Sequence, residues 1–206
     1  LSNEKAIGWF QGRMEFGPRA LGNRSILADP RSETMQKKLN LKIKFRESFR
    51  PFAPSIIKEK VGDWFDGKNE SPYMLFVYKL NKKKIKKNTK WNKKYSDLND
   101  INNVRSVVPA ITHIDETARV QTVDKKTNQR YYKLIESFYN KTKCPILINT
   151  SFNIRGEPIV CTPKDAFRCF MGTNMDVLVL ENFILYKENQ NKELMIDYRK
   201  NFLLDW

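Results

Sequence analysis

The chain has 206 residues, 40% of them hydrophobic, and carries a formal net charge of +15. This length and composition allow one sizeable buried core, so we expect a single domain. No apolar run approaches the roughly 20 residues that span a bilayer, and no signal peptide opens the chain, so we expect a soluble, cytoplasmic protein.

Strand and helix signals alternate along the chain. This pattern favours an α/β fold bordering on α+β, with helices flanking an open, twisted, mixed sheet. A strand-like run follows closely after Leu1, so we expect the chain to be a piece of a longer protein. The predicted strands span residues 6–11, 73–78, 107–111, 117–123 and 146–149, followed by a hairpin of 176–180 and 183–186.

Three helices are predicted from their capping residues and apolar spacing. Ser32 is a plausible N-cap for a helix that runs to about Asn40. Residues 129–142 place apolar side chains on one helical side, and Cys144-Pro145 ends that helix. Thr162-Pro163-Lys164-Asp165 combines an N-cap, a first-turn proline and a carboxylate three residues after the cap, and Gly172 is the natural stop.

Much of the positive charge is concentrated in one segment. Nine lysines and no acidic residue lie between Lys79 and Lys94, and the rest of the chain has a net charge of +6. The segment has little apolar material to pack, so we predict a solvated, mobile lysine-rich insertion at about 79–103. A contact with a polyanion or a partner is the alternative interpretation of this insertion.

The cysteine and histidine content excludes several kinds of site. Cys144, Cys161 and Cys169 show no CxxC spacing, and His113 is the only histidine. We therefore expect no disulfide framework, no metal site within this chain and a reducing compartment. A catalytic Ser/His or Cys/His pair would depend on that single histidine, whereas arginine and lysine are well supplied.

Two short segments form the candidate site. Lys44-Phe45-Arg46 provides two cations, and Ser151-Phe152-Asn153 provides a hydroxyl and an amide at the end of an apolar strand. Binding groups gather beyond the carboxyl ends of strands in open α/β sheets, so these segments could hold a triphosphate together. Arg19 and Arg24 could join the same anion site.

The usual phosphate-binding loops do not explain such a site. Residues 62–69 nearly match GxxxxGK[ST], but Asn69 lacks the hydroxyl that binds magnesium, and no strand precedes the loop. No GxGxxG follows a strand either. A nucleotide would therefore be held by side-chain cations, hydroxyls and exposed amides.

Plainer interpretations of these residues stay open. Arg24 and Arg46 could form structural ion pairs with Glu15 or Glu47. Ser151 and Asn153 could shape a turn through local hydrogen bonds. His113 and Asp115 form an HxD pattern that fits either an acid/base or metal pair, or a structural orientation of the strand that carries Arg119.

Four segments carry a family resemblance: residues 12–26 (GRMEFGPRALGNRSI), 49–55 (FRPFAPS), 112–123 (THIDETARVQTV) and 149–153 (NTSFN). In this order, across nearly the whole chain, they resemble the C-terminal domain of NodU/CmcH-type carbamoyltransferases. The resemblance implies a single YrdC-like domain over residues 1–206. The KxR and SxN pattern of YrdC-like proteins is met by Lys44, Arg46, Ser151 and Asn153.

The same resemblance implies a function and its partners. The domain would form carbamoyl-adenylate from carbamoyl phosphate and ATP with Mg²⁺. An N-terminal ASKHA-like domain, which holds iron and is absent from this chain, would pass the carbamoyl group to a hydroxyl of a small molecule. The implied catalytic residues are Lys44, Arg19 and Arg119, and the implied substrate- and nucleotide-binding residues are Arg24, Arg46, Arg50, Ser151 and Asn153.

Two alternatives remain at this point. A threonylcarbamoyl-adenylate synthase of tRNA modification shares KxR and SxN, but it does not account for the other three segments. A basic nucleic-acid-binding module would use the lysine-rich insertion, and its binding would fall steeply with salt. We do not expect nucleic acid as a partner, nor a membrane.

Overall fold

Every described strand contains β-branched or aromatic residues, the types that favour the pleated conformation. The computed structural model describes residues 1–67, 69–86, 104–195, 197 and 202. In chain order the described strands are β1 (Ile7–Phe10), β2 (Arg24–Ala28), β3 (Ala53–Ile57), β4 (Val77–Lys79), β5 (Thr117–Arg119), β6 (Gln121–Val123), β7 (Ile146–Ser151), β8 (Val177–Leu180) and β9 (Phe183–Tyr186).

Seven of these strands build one mixed sheet in the order β6-β3-β7-β2-β1-β8-β9. Strand β7 pairs antiparallel with both β2 and β3, whereas the pairs β3–β6 and β1–β8 are parallel. Each outer strand has one neighbour among the described strands, so the sheet is open. Strands β4 and β5 form a separate antiparallel pair. The predicted α/β fold with an open mixed sheet is confirmed, while its likeness to YrdC stays a prediction.

Four α-helices accompany the sheet: α1 (Met35–Leu39), α2 (Val61–Trp64), α3 (Gln129–Thr142) and α4 (Pro163–Met171). The α1 helix continues into a π-helical turn, Asn40–Lys44. Helix α3 packs against β3 and β7, and α4 packs against β1 and β8. In the described part of the chain, 3₁₀ turns lie at Lys58–Lys60, Lys82–Lys84, Pro109–Ile111, Lys187–Asn189 and Lys192–Leu194.

Local capping explains where the two longer helices begin and end. Asn128 accepts a hydrogen bond from the Tyr131 backbone amide at the start of α3. The predicted capping box of α4 is present, because Thr162 and Asp165 bond each other's backbone amides, and Gly172 is its C-cap. Within the described residues, no helix is both long and apolar enough to cross a membrane.

Several predicted elements differ from the structure. The strand predicted at 73–78 is found at Val77–Lys79, and the helix predicted to begin after Ser32 begins at Met35, with Thr34 as its N-cap. The predicted strand at 107–111 is wrong: Pro109–Ile111 is a 3₁₀ turn, since Pro109 has no N–H to give to a strand ladder. The predicted strand at 117–123 is divided at Val120, whose amide bonds Phe76 O at 3.1 Å. Its first half joins β4 and its second half joins β3. Residues 87–103 of the predicted lysine-rich insertion lie outside the described residues.

Candidate anion-binding site

The π-helical turn that continues α1 ends at Lys44, whose side chain is buried. Asn40, which is fully buried, holds the chain beyond this turn, because its amide nitrogen donates to Ser48 O at 3.0 Å and Arg50 O at 2.8 Å. Phe45 adopts a left-handed backbone with φ of 49°, which ends the helical run. Asn40 thereby fixes the loop that follows Lys44 and carries Arg46 and Arg50.

Lys44 bridges the two predicted segments. Its Nζ lies 2.5 Å from Ser151 O and 3.1 Å from Ser151 Oγ. It also lies 2.9 Å from Asn153 O and 2.7 Å from Asn153 Oδ1. An ammonium has three protons for these four acceptors, so at least one contact is shared. The KxR and SxN segments, 107 residues apart at Lys44 and Ser151, therefore meet directly.

The Lys44 ammonium is desolvated as well as hydrogen-bonded. Burial, and then the positive charge of Arg46, lower the pKa of Lys44 to about 7. The nearby Arg46 disfavours protonation of Lys44, whereas a bound anion would favour it. Lys44 is therefore a group whose charge responds to the arrival of a polyanion.

A pocket of about 520 Å³ opens beside Lys44, and we call it the lysine pocket. Four cationic side chains and one carboxylate, that of Glu157, line it. Ser151 and Asn153 also line this pocket, at the carboxyl end of β7. The cations are Lys44, Arg46, Arg50 and Arg155.

A smaller pocket of about 160 Å³, here the arginine pocket, adjoins the lysine pocket through Arg46 and Ser151. It is lined by two further arginines, Arg19 and Arg119, and by no acidic residue among those described. Burial, and then the positive charge of Arg19, lower the pKa of Arg119. The buried Nε of Arg119 has no hydrogen-bond partner in the described part of the chain. Such an arrangement favours an anionic ligand.

A buried amide network holds the backbone beside Arg19 against the sheet. Asn149 Nδ2 donates to Ala20 O at 3.0 Å and to Gln121 Oε1 at 2.8 Å. Gln121 Nε2 in turn donates to Leu21 O at 2.8 Å. Because β6 and β7 anchor these amides, the sheet determines where the Arg19 loop lies.

Arg46 is held by a different partner from the one that the sequence suggested. Arg46 Nε donates to Asn40 Oδ1 at 2.7 Å, and its guanidinium lies 5.0 Å from the centre of the Phe52 ring. Glu47, the ion-pair partner considered for Arg46, pairs with Arg50 at 3.0 Å. Burial, and then the charge of Arg50, lower the pKa of Arg46 to about 10. Both arginines nonetheless line the lysine pocket.

Arg24 is the predicted site residue that the structure does not bring to these pockets. Its guanidinium donates to four backbone carbonyls and stacks 3.4 Å from the centre of the Phe10 ring. Burial is the main cause that lowers the pKa of Arg24. The geometry therefore gives Arg24 a structural contact. The four carbonyls belong to Gln11, Asn23, Gly12 and Cys161.

An Arg24→Met variant is expected to lose about 2–4 kcal/mol of unfolding free energy, because several buried carbonyls would lose their donor. Chemical denaturation measures this loss. Activity per folded molecule is expected to stay near that of the unchanged protein. Loss of ligand binding in a variant of full stability would instead support the role that the sequence suggested for Arg24.

Sequence reasoning did not nominate two charged residues that line the lysine pocket. Arg155 follows the SxN segment by two positions, and Glu157 lies just beyond it. Glu157 accepts a hydrogen bond from the Ile154 amide at 2.8 Å, and its backbone oxygen accepts one from Asn153 Nδ2 at 2.6 Å. The signal that could have found both is the run IRGEP, directly after a ligand-bearing strand end.

The chain is similar to a known protein family and to several known proteins. The Carbamoyltransferase C-terminus family matches residues 1–187. An uncharacterized protein of Synechocystis sp. is 55% identical over the whole chain, which covers 34% of that relative. Nodulation protein NolO of Bradyrhizobium diazoefficiens is 44% identical over 91% of the chain and 31% of its own length. The 3'-hydroxymethylcephem-O-carbamoyltransferase of Amycolatopsis lactamdurans is 35% identical over 80% of the chain and 27% of its own length.

The chain therefore spans about a third, or less, of the length of these relatives. The family match covers most of the chain and includes all four segments that carried the resemblance. The predicted family is confirmed. This protein belongs to the Carbamoyltransferase C-terminus family.

Proposed function

We propose that this chain forms carbamoyl-adenylate from carbamoyl phosphate and ATP. The observation that carries the proposal is the convergence of cations on two adjoining pockets that share Arg46 and Ser151. These side chains come from segments far apart in the chain, yet they surround one concave region. The cations are Arg19, Lys44, Arg46, Arg50, Arg119 and Arg155.

The chemistry follows from this charge distribution. Carbamoyl phosphate would first lose phosphate to give carbamate. A carbamate oxygen would then bond to the α-phosphorus of ATP as the bond to pyrophosphate breaks. Negative charge shifts among phosphoryl oxygens in the second step, and fixed cations stabilise that charge without reorganising. In this proposal Lys44 and Arg119 contact the reacting groups, and Arg46 and Arg50 bind them.

The lysine pocket has the size and polarity that such substrates require. Its volume of about 520 Å³ lies within the range of small-molecule sites. Ser151 Oγ lies 2.7 Å from Asn153 Oδ1, and Lys44 contacts both, so the SxN side chains are already ordered. An ordered polar site loses little entropy when the ligand binds.

The proposal includes Mg²⁺ bound together with the nucleotide. Mg²⁺ usually keeps several waters and is held through substrate phosphates and one or two carboxylates. Among the described residues of the lysine pocket the carboxylate is Glu157, which already accepts the Ile154 amide. The described residues contain no group of three or more His, Cys, Asp or Glu side chains that could hold a metal. Iron remains an expectation for an N-terminal domain.

The reaction of the whole protein is also proposed. One relative is a 3'-hydroxymethylcephem-O-carbamoyltransferase by name, and the chain covers about a quarter of it. We propose that the adenylate formed here supplies a domain that transfers the carbamoyl group to a hydroxyl of a small molecule. An acyl-adenylate hydrolyses readily, so direct transfer between the two domains would protect it.

Direct detection of the adenylate tests the proposal. The chain is incubated with ATP, Mg²⁺ and carbamoyl phosphate, and carbamoyl-adenylate and pyrophosphate are measured. Arg119→Ala is expected to reduce both products by about 100-fold or more, since its guanidinium would no longer face the developing charge. Adenylate formed only from threonine plus bicarbonate would support the alternative synthase, and no adenylate from either donor would contradict the proposal.

A further inference from the structure

The only histidine of the chain lies in a turn that is held by several hydrogen bonds. His113 Nδ1 lies 2.8 Å from Asp115 Oδ1. The same carboxylate oxygen accepts bonds from Thr117 N at 3.1 Å and Thr117 Oγ1 at 2.7 Å. The His113 amide donates to Thr117 O at 2.9 Å, and Glu116 takes a left-handed backbone with φ of 67°. The imidazole is therefore oriented by a fixed carboxylate.

This pairing determines which ring nitrogen can act as a base. Although partial burial acts to raise the pKa of Asp115, hydrogen bonds from Thr117 and His113 outweigh it and lower that pKa below its ordinary value. An ionised carboxylate only accepts hydrogen bonds, so His113 Nδ1 must carry the proton. In the neutral ring, Nε2 then has the lone pair. Within the described residues His113 Nε2 makes no hydrogen bond.

His113 and Asp115 line a third pocket, of about 460 Å³, here the histidine pocket. It adjoins the arginine pocket, because both are lined by Pro51, Phe52, Ala53 and Arg119. A base in the histidine pocket therefore shares that pocket with Arg119, the arginine predicted to contact the substrate. Lys44, whose Nζ is within reach of four oxygen acceptors, acts as a donor rather than a base.

We propose that His113, oriented by Asp115, is the general base for the water that hydrolyses carbamoyl phosphate, an inference that rests on the proposed function. His113 Nε2 takes a proton from water as the water oxygen bonds to the carbonyl carbon. The bond from that carbon to the phosphate oxygen then breaks, and phosphate leaves with the electron pair and receives the proton from His113. The products are carbamic acid and hydrogen phosphate. Carbamic acid loses a proton to become the carbamate that attacks ATP.

Arg119 would stabilise the negative charge that develops when the water attacks. The attack places negative charge on the carbonyl oxygen and on the leaving phosphate, and a guanidinium stabilises both. The buried Nε of Arg119 lacks a partner among the described residues, so it has an unused donor. Thr117 and Asp115 are positioning residues, because they act through the orientation of His113.

A bypass experiment separates hydrolysis from adenylation. Freshly dissolved ammonium carbamate supplies the carbamate directly, so pyrophosphate release no longer needs hydrolysis of carbamoyl phosphate. His113→Gln is expected to lose about 100-fold or more of the phosphate release from carbamoyl phosphate, as removal of a general base does. Its carbamate-driven pyrophosphate release is expected to stay within about threefold of the unchanged chain. Asp115→Asn is expected to show the same pattern with a smaller loss.

Matched variants and an isotope label complete the test. Ile114→Ala changes an exposed neighbour in the same turn and is expected to retain both activities. Added imidazole is expected to restore part of the hydrolysis in His113→Ala. In ¹⁸O-water the released phosphate is expected to carry no label from the water, because the water oxygen bonds to carbon.

Three results would overturn the inference. Equal loss of carbamoyl phosphate hydrolysis and carbamate-driven adenylation in His113→Gln would show a structural role or a role in adenylation. Full hydrolysis in that variant would remove His113 from the reaction. Labelled phosphate would place the attack on phosphorus. If the unchanged chain released no pyrophosphate from ATP with either carbamoyl phosphate or ammonium carbamate, the proposed function itself would be contradicted. The two failures are therefore distinguishable.

Discussion

Lys44→Met is expected to abolish most carbamoyl-adenylate formation, with a loss of about 10²–10³-fold. The reason is geometric as well as electrostatic, since Lys44 is the cation that contacts both Ser151 and Asn153. Methionine has a similar length and removes the charge, so the fold is expected to persist and the cost of burying an ammonium is relieved. Rates of pyrophosphate release and a urea unfolding curve measure the two effects.

The matched control is Lys42→Met, which removes an exposed lysine from the same π-helical turn. It is expected to leave the rate unchanged. Equal losses in the two variants would show that general positive charge, and not the buried ammonium, is what matters.

The pH dependence of ATP binding gives an independent check on Lys44. Its pKa is lowered to about 7 in the free protein, and a bound polyanion raises it. Binding above pH 7 therefore takes up a proton, so ATP affinity is expected to fall as pH rises from about 7 to 9, by at most about tenfold per pH unit. Lys44→Met is expected to bind ATP weakly and without the pH dependence that Lys44 contributes. Because ATP titrates equally in both measurements, comparing the two proteins cancels the effect of ATP's own ionisation. Parallel pH profiles would contradict the assignment.

Gly22→Ala is expected to lower the free energy of unfolding by about 3 kcal/mol or more, the sum of a positive-φ penalty and overpacking. Gly22 has φ of +112°, and a Cβ there would lie 2.3 Å from Cδ1 of the fully buried Tyr131. Gly22 O also accepts the Trp9 indole at 2.8 Å, and Gly22 N donates to Ser25 Oγ at 3.1 Å. The loop therefore cannot move away from Tyr131 without breaking these hydrogen bonds. The midpoint of urea unfolding measures the loss.

Gly17→Ala is the matched control for that experiment. Gly17 has φ of +141°, but no atom lies within 4 Å of a Cβ built there. This variant isolates the backbone penalty, which is expected to be about 1–2 kcal/mol. A loss as large as that of Gly22→Ala would show that the contact with Tyr131 is not the main cause.

Helix α3, the capping box of α4 and the β8–β9 hairpin were all predictable from the sequence. Each depends on residues within one or two turns of each other, such as Thr162 and Asp165. The division of residues 117–123 was not predictable, because alternation continues through Val120. It results from bonds to two distant strands, β4 and β3.

The candidate site shows the same limit. Sequence indicated Lys44, Arg46, Ser151 and Asn153 as one site, and the structure joins them. The sequence also suggested Arg24, which precedes Ser25, the residue that pairs with Ser151 in the sheet. The Arg24 guanidinium instead donates to the backbone carbonyls of Gln11 and Gly12. Asn40 gave no signal of its own in the sequence, because its contribution depends on which loops meet.

The amino-acid sequence by itself determined the α/β class, the longer helices with their ends, the family and most of the cationic side chains, because these depend on neighbouring residues or on long matching segments. The tertiary structure alone decided which cations share a pocket, how the amide network holds the Arg19 loop, and that His113 and Arg119 line the same pocket. The physical reason is that pairing β7 with both β2 and β3 brings together residues 90 or more positions apart, and local periodicity carries no information about such contacts.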